Sequence, residues 1–339
     1  MFASKKSSTQ LVLYCDDLSI RYLLLDRDDQ GLFVRAHDEA ELPLGVLERG
    51  EILKAEAFTG ILRTIKTAVE REGFKLKNIQ TTLILDNDYF KHVDFDLPGY
   101  SFRKDLHKQI QSFIKNNDEY SWLKDAHVSA RYDDQQKKLY AYTLSKHLSS
   151  GYLHSLEKAG FRDVSIHSDM FACEQLVGSD PHVRMIVVGD KYSKLVELKH
   201  GHYVSDKKFQ VSYQQFSSDI IKNLNIPKDT ARKIVREYGV SRAHKDQKVY
   251  ARIIRSLTPL VDYLRLQKDI RTTPLFLWYL DTPIIAMADV LSKRLSTQVQ
   301  ELDPLKQSPR AFHEVLSLQR DDSHRFSLLL AQAMVNDRK

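Results

Sequence analysis

Apolar residues open the chain in short, nearly unbroken blocks. Leu11 to Cys15 and Leu18 to Leu25 flank Asp16-Asp17, the pattern of two strands joined by a tight turn. Asp28 to Gly31 ends the second block, and Leu32 to Glu39 supplies a third strand, completing an antiparallel meander. The spacing then changes. From Lys54 to Glu72 the residues Phe58, Leu62, Ile65 and Val69 fall on one helical face, and Gly73-Phe74 offers a glycine C-cap with its following apolar residue.

Thr81 to Leu97 reads as two strands turning at Asp86-Asn87-Asp88, followed by a helix over Phe102 to Lys115 that buries Leu106, Ile110, Phe113 and Ile114. Strands at Ala126–Tyr132 and Lys138–Leu144 precede a helix from Lys146 to Ala159, stopped by Gly160-Phe161. A short strand over Asp163–His167 and a helix over Met170–Val177 come next. Val183–Val188, Lys194–Leu198 and the strand from Tyr203 then repeat the opening meander about 173 residues on, which predicts two similar lobes. Beyond them, Pro227 starts a helix in its first turn that Gly239 closes, and a helix over Ile253–Leu266 is kinked or broken by Pro259. Leu275–Leu280 is an apolar strand. Asp281 and Pro283 begin a helix over Ile284–Leu295, Val299–Leu302 is a strand, and Ser323–Val335 a terminal helix aligning Phe326, Leu329 and Ala333.

The chemistry the composition permits is narrow. In 339 residues, 42 % apolar and 28 % charged, the two cysteines Cys15 and Cys173 imply no disulfide framework and a reducing compartment. The N-terminal residues lack the apolar core of a signal peptide, and no stretch reaches the length of a membrane helix. Twelve glycines are about half the usual share, scant for loops that cradle phosphate. A net charge of +6 is mild, but basic residues crowd the segment 222–271, either a docking face or a solvated helical surface.

Paired meander–helix lobes with an insert in each resemble the actin, sugar-kinase and Hsp70 superfamily. Within it the chain resembles the PilM family of type IV pilus assembly proteins, relatives of the division protein FtsA. The stretches that carry the likeness are Leu42 to Ile52 before the first helix, Phe95 to Gly99, Leu156 to Phe161 with Ser165 to Asp169, and Val290 to Leu295 with Val299 to Pro304. The resemblance implies an α/β, two-lobed actin-like (duplicated ribonuclease-H-like) fold. Its first lobe would span 1–180, with core segments 1–79 and 156–180 and an inserted α+β subdomain at 80–155. The second lobe would span 181–339, with a helical insert at about 212–271.

The departures from the family fall on the nucleotide loops. The first Asp-x-Gly turn of the family corresponds here to Tyr14 and Asp16, and the second to Val187 and Gly189. The glycine cluster that contacts adenosine corresponds to Tyr279, Leu280 and Asp281. A carboxylate in place of glycine opposes phosphate, and bulky side chains fill the room of a base and ribose. The expectation is therefore a scaffold without catalytic residues or cofactor; ATP and magnesium enter only under the alternative of an active ATPase. The resemblance implies a cytoplasmic protein peripheral to the inner membrane, holding the cytoplasmic N-terminal segment of a PilN-type partner, with contact to a pilus motor ATPase left open. Leu97, Pro98, Tyr100 and Phe102 either line that groove or belong to the core, whereas Phe95, alternating with acids, is expected to be buried. The same scaffold role in cell division or type II secretion is the other alternative. His200 and His202 read as turn residues rather than metal ligands, and Trp122 with Tyr120 as either an exposed anchor or a plug. No nucleic-acid module accompanies the sixteen tyrosines.

Overall fold

The computed structural model describes residues 9–28, 31–76, 79–96, 106–133, 136–177, 180–241, 247–280, 282–303 and 325–337. It divides into two units, Met1–Phe171 and Ala172–Lys339. The first unit is built on strands β1 (Gln10–Cys15), β2 (Ser19–Asp28), β3 (Gly31–Glu41), β6 (Gln80–Leu85) and β10 (Val164–Ser168), in the order β10-β6-β1-β2-β3. β1 pairs antiparallel with β2 and parallel with β6, so it is the central strand, and all six of its residues are buried. A two-stranded ribbon, β4 (Leu47–Glu48) with β5 (Glu51–Ile52), leads into helix α1 (Ala55–Arg71). α1 buries Phe58, Leu62, Ile65 and Val69 as the spacing predicts, and packs beside α3 (Lys146–Ala159) through a Phe58–Tyr152 edge contact of 5.7 Å. Ser145 caps the start of α3, while Gly160, at φ +100°, ends it with the paired Phe161–Leu156 and Gly160–Glu157 backbone bonds of a Schellman motif, and α4 (Asp169–Val177) follows β10 directly.

Inserted into this unit is a three-stranded sheet, β7 (Phe90–Asp96), β9 (Lys138–Ser145) and β8 (Ala126–Asp133), in the order β7-β9-β8. Here the sequence reading is corrected. β6 and β7 are not partners across the Asp86–Asp88 turn: β6 joins the main sheet and β7 the inserted one. One face of the inserted sheet carries Phe95, Leu139 and Ala141, covered by Ile110 and Ile114 of α2 (Leu106–Asn116) and by Leu123. Phe95 is buried, as alternation with acids predicted, and its ring stacks on Phe113 at 4.7 Å with Tyr120 beside both. Tyr120 is thus the plug and Trp122, 41 % exposed beneath the Lys91 ammonium, stands outside.

The second unit repeats the layout with β11 (His182–Val188), β12 (Ser193–Lys199), β13 (His202–Phe209), β14 (Leu275–Tyr279) and β15 (Val299–Leu302), ordered β13-β12-β11-β14-β15. Again the first strand is central, antiparallel to its hairpin partner and parallel to the strand that follows the helices. Between β13 and β14 run α5 (Tyr213–Leu224), α6 (Lys228–Tyr238), α7 (Gln247–Ser256) and α8 (Thr258–Arg265); α9 (Met287–Leu295) and α10 (Ser327–Asp337) follow β14 and β15. Phe216, Ile220, Val235, Ile253, Leu260 and Leu264 from the helices join Ile186, Leu277 and Leu291 in one apolar core. Pro259 breaks the predicted long helix at Leu257, and the Arg294 guanidinium bonds the Ile254 carbonyl there at 2.7 Å. Two helix starts differ from the sequence reading for reasons the backbone shows. Pro227 is the N-cap of α6 rather than a first-turn residue. α9 begins at Met287, because Ala286 adopts φ +62° and separates 282–285 from the helix.

Candidate functional site

In the first unit the turn between β1 and β2 closes on itself. The Asp16 backbone N–H donates to the Ser19 carbonyl at 3.1 Å, and the Asp16 carboxylate accepts the N–H groups of Leu18 at 2.8 Å and Ser19 at 2.9 Å. Backbone N–H groups of such a turn can hold a phosphate; here a carboxylate from the same chain already holds them. Tyr14, one position before Cys15, is buried in the core. Burial pushes its phenol well above the ordinary value, and the charges of Asp16, Asp86 and Asp169 push it further. Those carboxylates gather where β1, β6 and β10 end. Like charges brought together at strand ends repel one another. A polyphosphate brought to these strand ends would meet that repulsion.

The second turn has a different chemistry. Gly189 donates its N–H to the Tyr192 carbonyl at 3.0 Å, and a Cβ on it would lie 3.1 Å from the same oxygen, so close approach explains this glycine. Val187 is buried. Asp190, the residue after Gly189, accepts hydrogen bonds from the Gln214 side chain through its carboxylate and from the Gln214 N–H through its carbonyl, the latter at 3.2 Å. Its charge is therefore engaged by the first turn of α5.

At the end of β14, Tyr279 belongs to the core. Tyr279 is 1 % exposed, and its hydroxyl donates to the Ile284 carbonyl at 3.1 Å. Leu280 is half-buried and donates its N–H to Val188 at 3.0 Å; Asp281 lies outside the described residues. The following stretch is joined to α6: Val240 donates to the Ile285 carbonyl at 3.0 Å, and Gly239 lies so close that a Cβ would sit 2.3 Å from that oxygen. Sequence reading placed Tyr279 and Leu280 here but had no signal for the Gly239–Ile285 approach.

Leu97, Pro98, Tyr100 and Phe102 also lie outside the described residues. Where the inserted sheet meets the core, the described contacts form a polar and aromatic seam. The Asn87 amide oxygen accepts from the Ser168 hydroxyl at 2.8 Å and lies 2.7 Å from His92 Nε2, while Asp169 accepts the Asn87 N–H at 2.8 Å. His92 meets the Tyr142 ring edge-on at 4.4 Å, Tyr142 meets Phe171 at 5.8 Å, and Ser129 bonds His167 at 2.7 Å. Further out on that face, the paired row Asp94, Tyr140 and Arg131 is only partly covered. A cleft of about 1210 Å³ lies elsewhere in this unit, between the C-terminal ends of α1 and α3, lined by Lys66, Phe74, Leu153, Phe161 and Arg162 among others. It adjoins none of the strand-end carboxylates named above. His202 is buried and His200 sits exposed in the turn, and among the described residues no group of three or more metal-ligating side chains gathers.

Burial is the first cause that raises the phenols of Tyr14, Tyr89, Tyr152 and Tyr279 from the ordinary value of 10.0. A phenol held neutral in the fold contributes its full stability below the unfolded value and loses it as pH rises toward the folded one. Stability is thus expected to fall above about pH 10. In a phenolate-absorbance titration these four should ionise only with the loss of circular dichroism; their ionisation within the intact fold would contradict the burial described.

No family model matches the sequence, and no curated protein does. Solved structures do. Over 96 % of its length the chain is similar to 98 % of a chain of a PilM–PilN type IV pilus biogenesis complex, with a TM-score of 0.67 and 16 % identity. MreB5 of Spiroplasma citri, solved bound to ADP, matches with a TM-score of 0.55 and 11 % identity over 97 % of both chains. The ethanolamine utilization protein EutJ from Carboxydothermus hydrogenoformans matches with a TM-score of 0.50 and 14 % identity, over 91 % of this chain and 90 % of its own. With the strand order repeated in both units, these likenesses establish that the chain has the two-lobed actin-like fold.

Proposed function

We propose that the protein is a nucleotide-independent actin-like scaffold of a type IV pilus assembly complex. It would bind the cytoplasmic N-terminal segment of a PilN-type inner-membrane protein from the cytoplasmic side, with no catalytic residues of its own. The observation that carries the nucleotide-independence is the closed β1–β2 turn, where Asp16 accepts the Leu18 and Ser19 N–H groups. The burial of Tyr279 and the joint between Gly239 and Ile285 support it from the second unit. The partner is supported by the likeness to a chain of the PilM–PilN complex along almost its whole length. Under this reading the peptide lies where the inserted sheet meets the core. The partly covered row Asp94, Tyr140 and Arg131 supplies candidates there; Leu97, Pro98, Tyr100 and Phe102 remain candidates from the sequence alone. A short apolar peptide in a preformed groove gives an affinity on the order of micromolar without any chemical step.

Calorimetry provides the test. The partner's N-terminal peptide should bind equally with and without ATP and magnesium, and a labelled ATP analogue with magnesium should not bind at millimolar concentration. Tight magnesium-dependent binding of the analogue, or peptide binding that requires it, would favour the active ATPase instead.

A further inference from the structure

The basic residues of the second unit have a definite arrangement. Lys228 and Arg232 of α6, Arg252 and Arg255 of α7, and Lys268 and Arg271 after α8 are exposed, and none makes an ion pair with a described residue. Of the acids near them, Asp229 and Asp289 stand exposed, while Glu237 and Asp269 are engaged elsewhere. Glu237 faces Lys233 at 3.8 Å, and Asp269 bonds Arg184 at 2.8 Å and lies 3.3 Å from His182. Asp262 lies 4.0 Å from Arg265, whose guanidinium also bonds the Arg294 carbonyl at 2.6 Å, close to the exposed Lys293. Beyond α8 the backbone winds in consecutive turns, with bonds from Leu266 to Asp262, Gln267 to Leu264, Ile270 to Gln267, and Thr273 to Asp269. These turns bring Arg265, Leu266, Lys268 and Arg271 into seven consecutive residues, among which Leu266 is 80 % exposed.

An exposed leucine alone is ordinary, and so is a surface lysine. Their combination is selective. Unpaired cations would suit any polyanion, but a leucine held clear of the fold among them suits a surface with phosphate outside and hydrocarbon just beneath. We propose that the run of turns after α8 is a membrane-surface contact. Leu266 enters the boundary between headgroups and acyl chains of an anionic bilayer, while Lys268, Arg271 and Lys293 meet lipid phosphates. The contact stands apart from the peptide reading, which concerns the inserted sheet of the first unit.

Sedimentation of the full chain with vesicles tests it. The wild type should sediment with phosphatidylcholine vesicles containing phosphatidylglycerol, and not with phosphatidylcholine alone, and added salt should weaken the binding. Each neutralised cation should weaken it about fivefold, so Lys268→Gln/Arg271→Gln should lose roughly twenty-five-fold. Leu266→Ser should also weaken it, without changing the salt dependence. All three side chains are exposed, so thermal midpoints should match the wild type, and peptide binding should persist. No sedimentation with the anionic vesicles overturns the proposal. So does sedimentation that the variants leave unchanged, or capture of the wild type by an acidic polypeptide but not by the vesicles.

Discussion

Replacing Gly239 by alanine is expected to lower the stability of the second unit by about 2–4 kcal/mol, or to prevent its folding. Gly239 sits at φ +52° and ψ −124°, the first central position of a type II′ turn closed by the Ser241 N–H on the Tyr238 carbonyl at 2.9 Å. A side chain there is strained before it touches anything. It also has nowhere to go: an ideal Cβ lies 2.3 Å from the Ile285 oxygen, 2.5 Å from its nitrogen and 2.9 Å from its carbonyl carbon. These are backbone atoms and cannot rotate aside. Relief requires separating α6 from the segment before α9, which breaks the Val240–Ile285 hydrogen bond as well. Gly60 gives the internal comparison. It lies within α1, with nothing inside 4 Å of its Cβ position, so Gly60→Ala should stabilise the first unit by about 0.5–1 kcal/mol. Urea unfolding of the two variants measures both. An unchanged midpoint for Gly239→Ala would mean that α6 and the Ile285 segment are not joined.

That joint marks the limit of what the sequence discloses. Both meanders were legible because each is written locally, as apolar blocks separated by Asp-rich or Gly-containing turns, and their repetition disclosed the two lobes. The partition of β6 and β7 was not. Each has a plausible strand pattern, but β6 is claimed by β1 and β10 and β7 by β9, all distant in sequence. α5 falls in the helical insert expected at about 212–271 but was not legible as a helix of its own, because its buried face mixes Ser217 and Asp219 with Phe216 and Ile220, and Asp219 is satisfied by Ser256 of α7, a partner no local pattern announces. The start of α9 was misplaced because Thr282 to Ala286 reads as a proline-led apolar first turn, while Ala286 takes a left-handed conformation that local propensity disfavours. At the site, the loss of glycine at position 16 was legible as a change of chemistry. The use of that carboxylate to bind its own turn was a matter of geometry.

Tyr279 extends this contrast to a residue whose bulk was legible and whose bonding was not. Tyr279→Ala is expected to cost about 3–5 kcal/mol and Tyr279→Phe only about 0.5–1.5 kcal/mol. The ring is 1 % exposed at the end of β14, within the core formed with Ile186, Leu277 and Met287, so truncation leaves a cavity in a close-packed interior. The hydroxyl contributes less, because the Ile284 carbonyl it bonds also accepts the Met287 N–H at 3.1 Å and is not orphaned in the phenylalanine variant. The Tyr279 carbonyl accepts the Ser327 hydroxyl at 2.8 Å, and that hydroxyl accepts the Trp278 indole N–H at 3.1 Å, so the strand end is also fixed to the start of α10. Both variants retain these bonds, which makes the ring the variable being measured. Chemical denaturation should therefore rank wild type above Tyr279→Phe and Tyr279→Phe well above Tyr279→Ala. Equal costs would show that the phenol oxygen, and not the ring, holds the segment before α9. The filled space would then be a matter of one hydrogen bond, and the second unit's support for a scaffold without nucleotide would be lost with it.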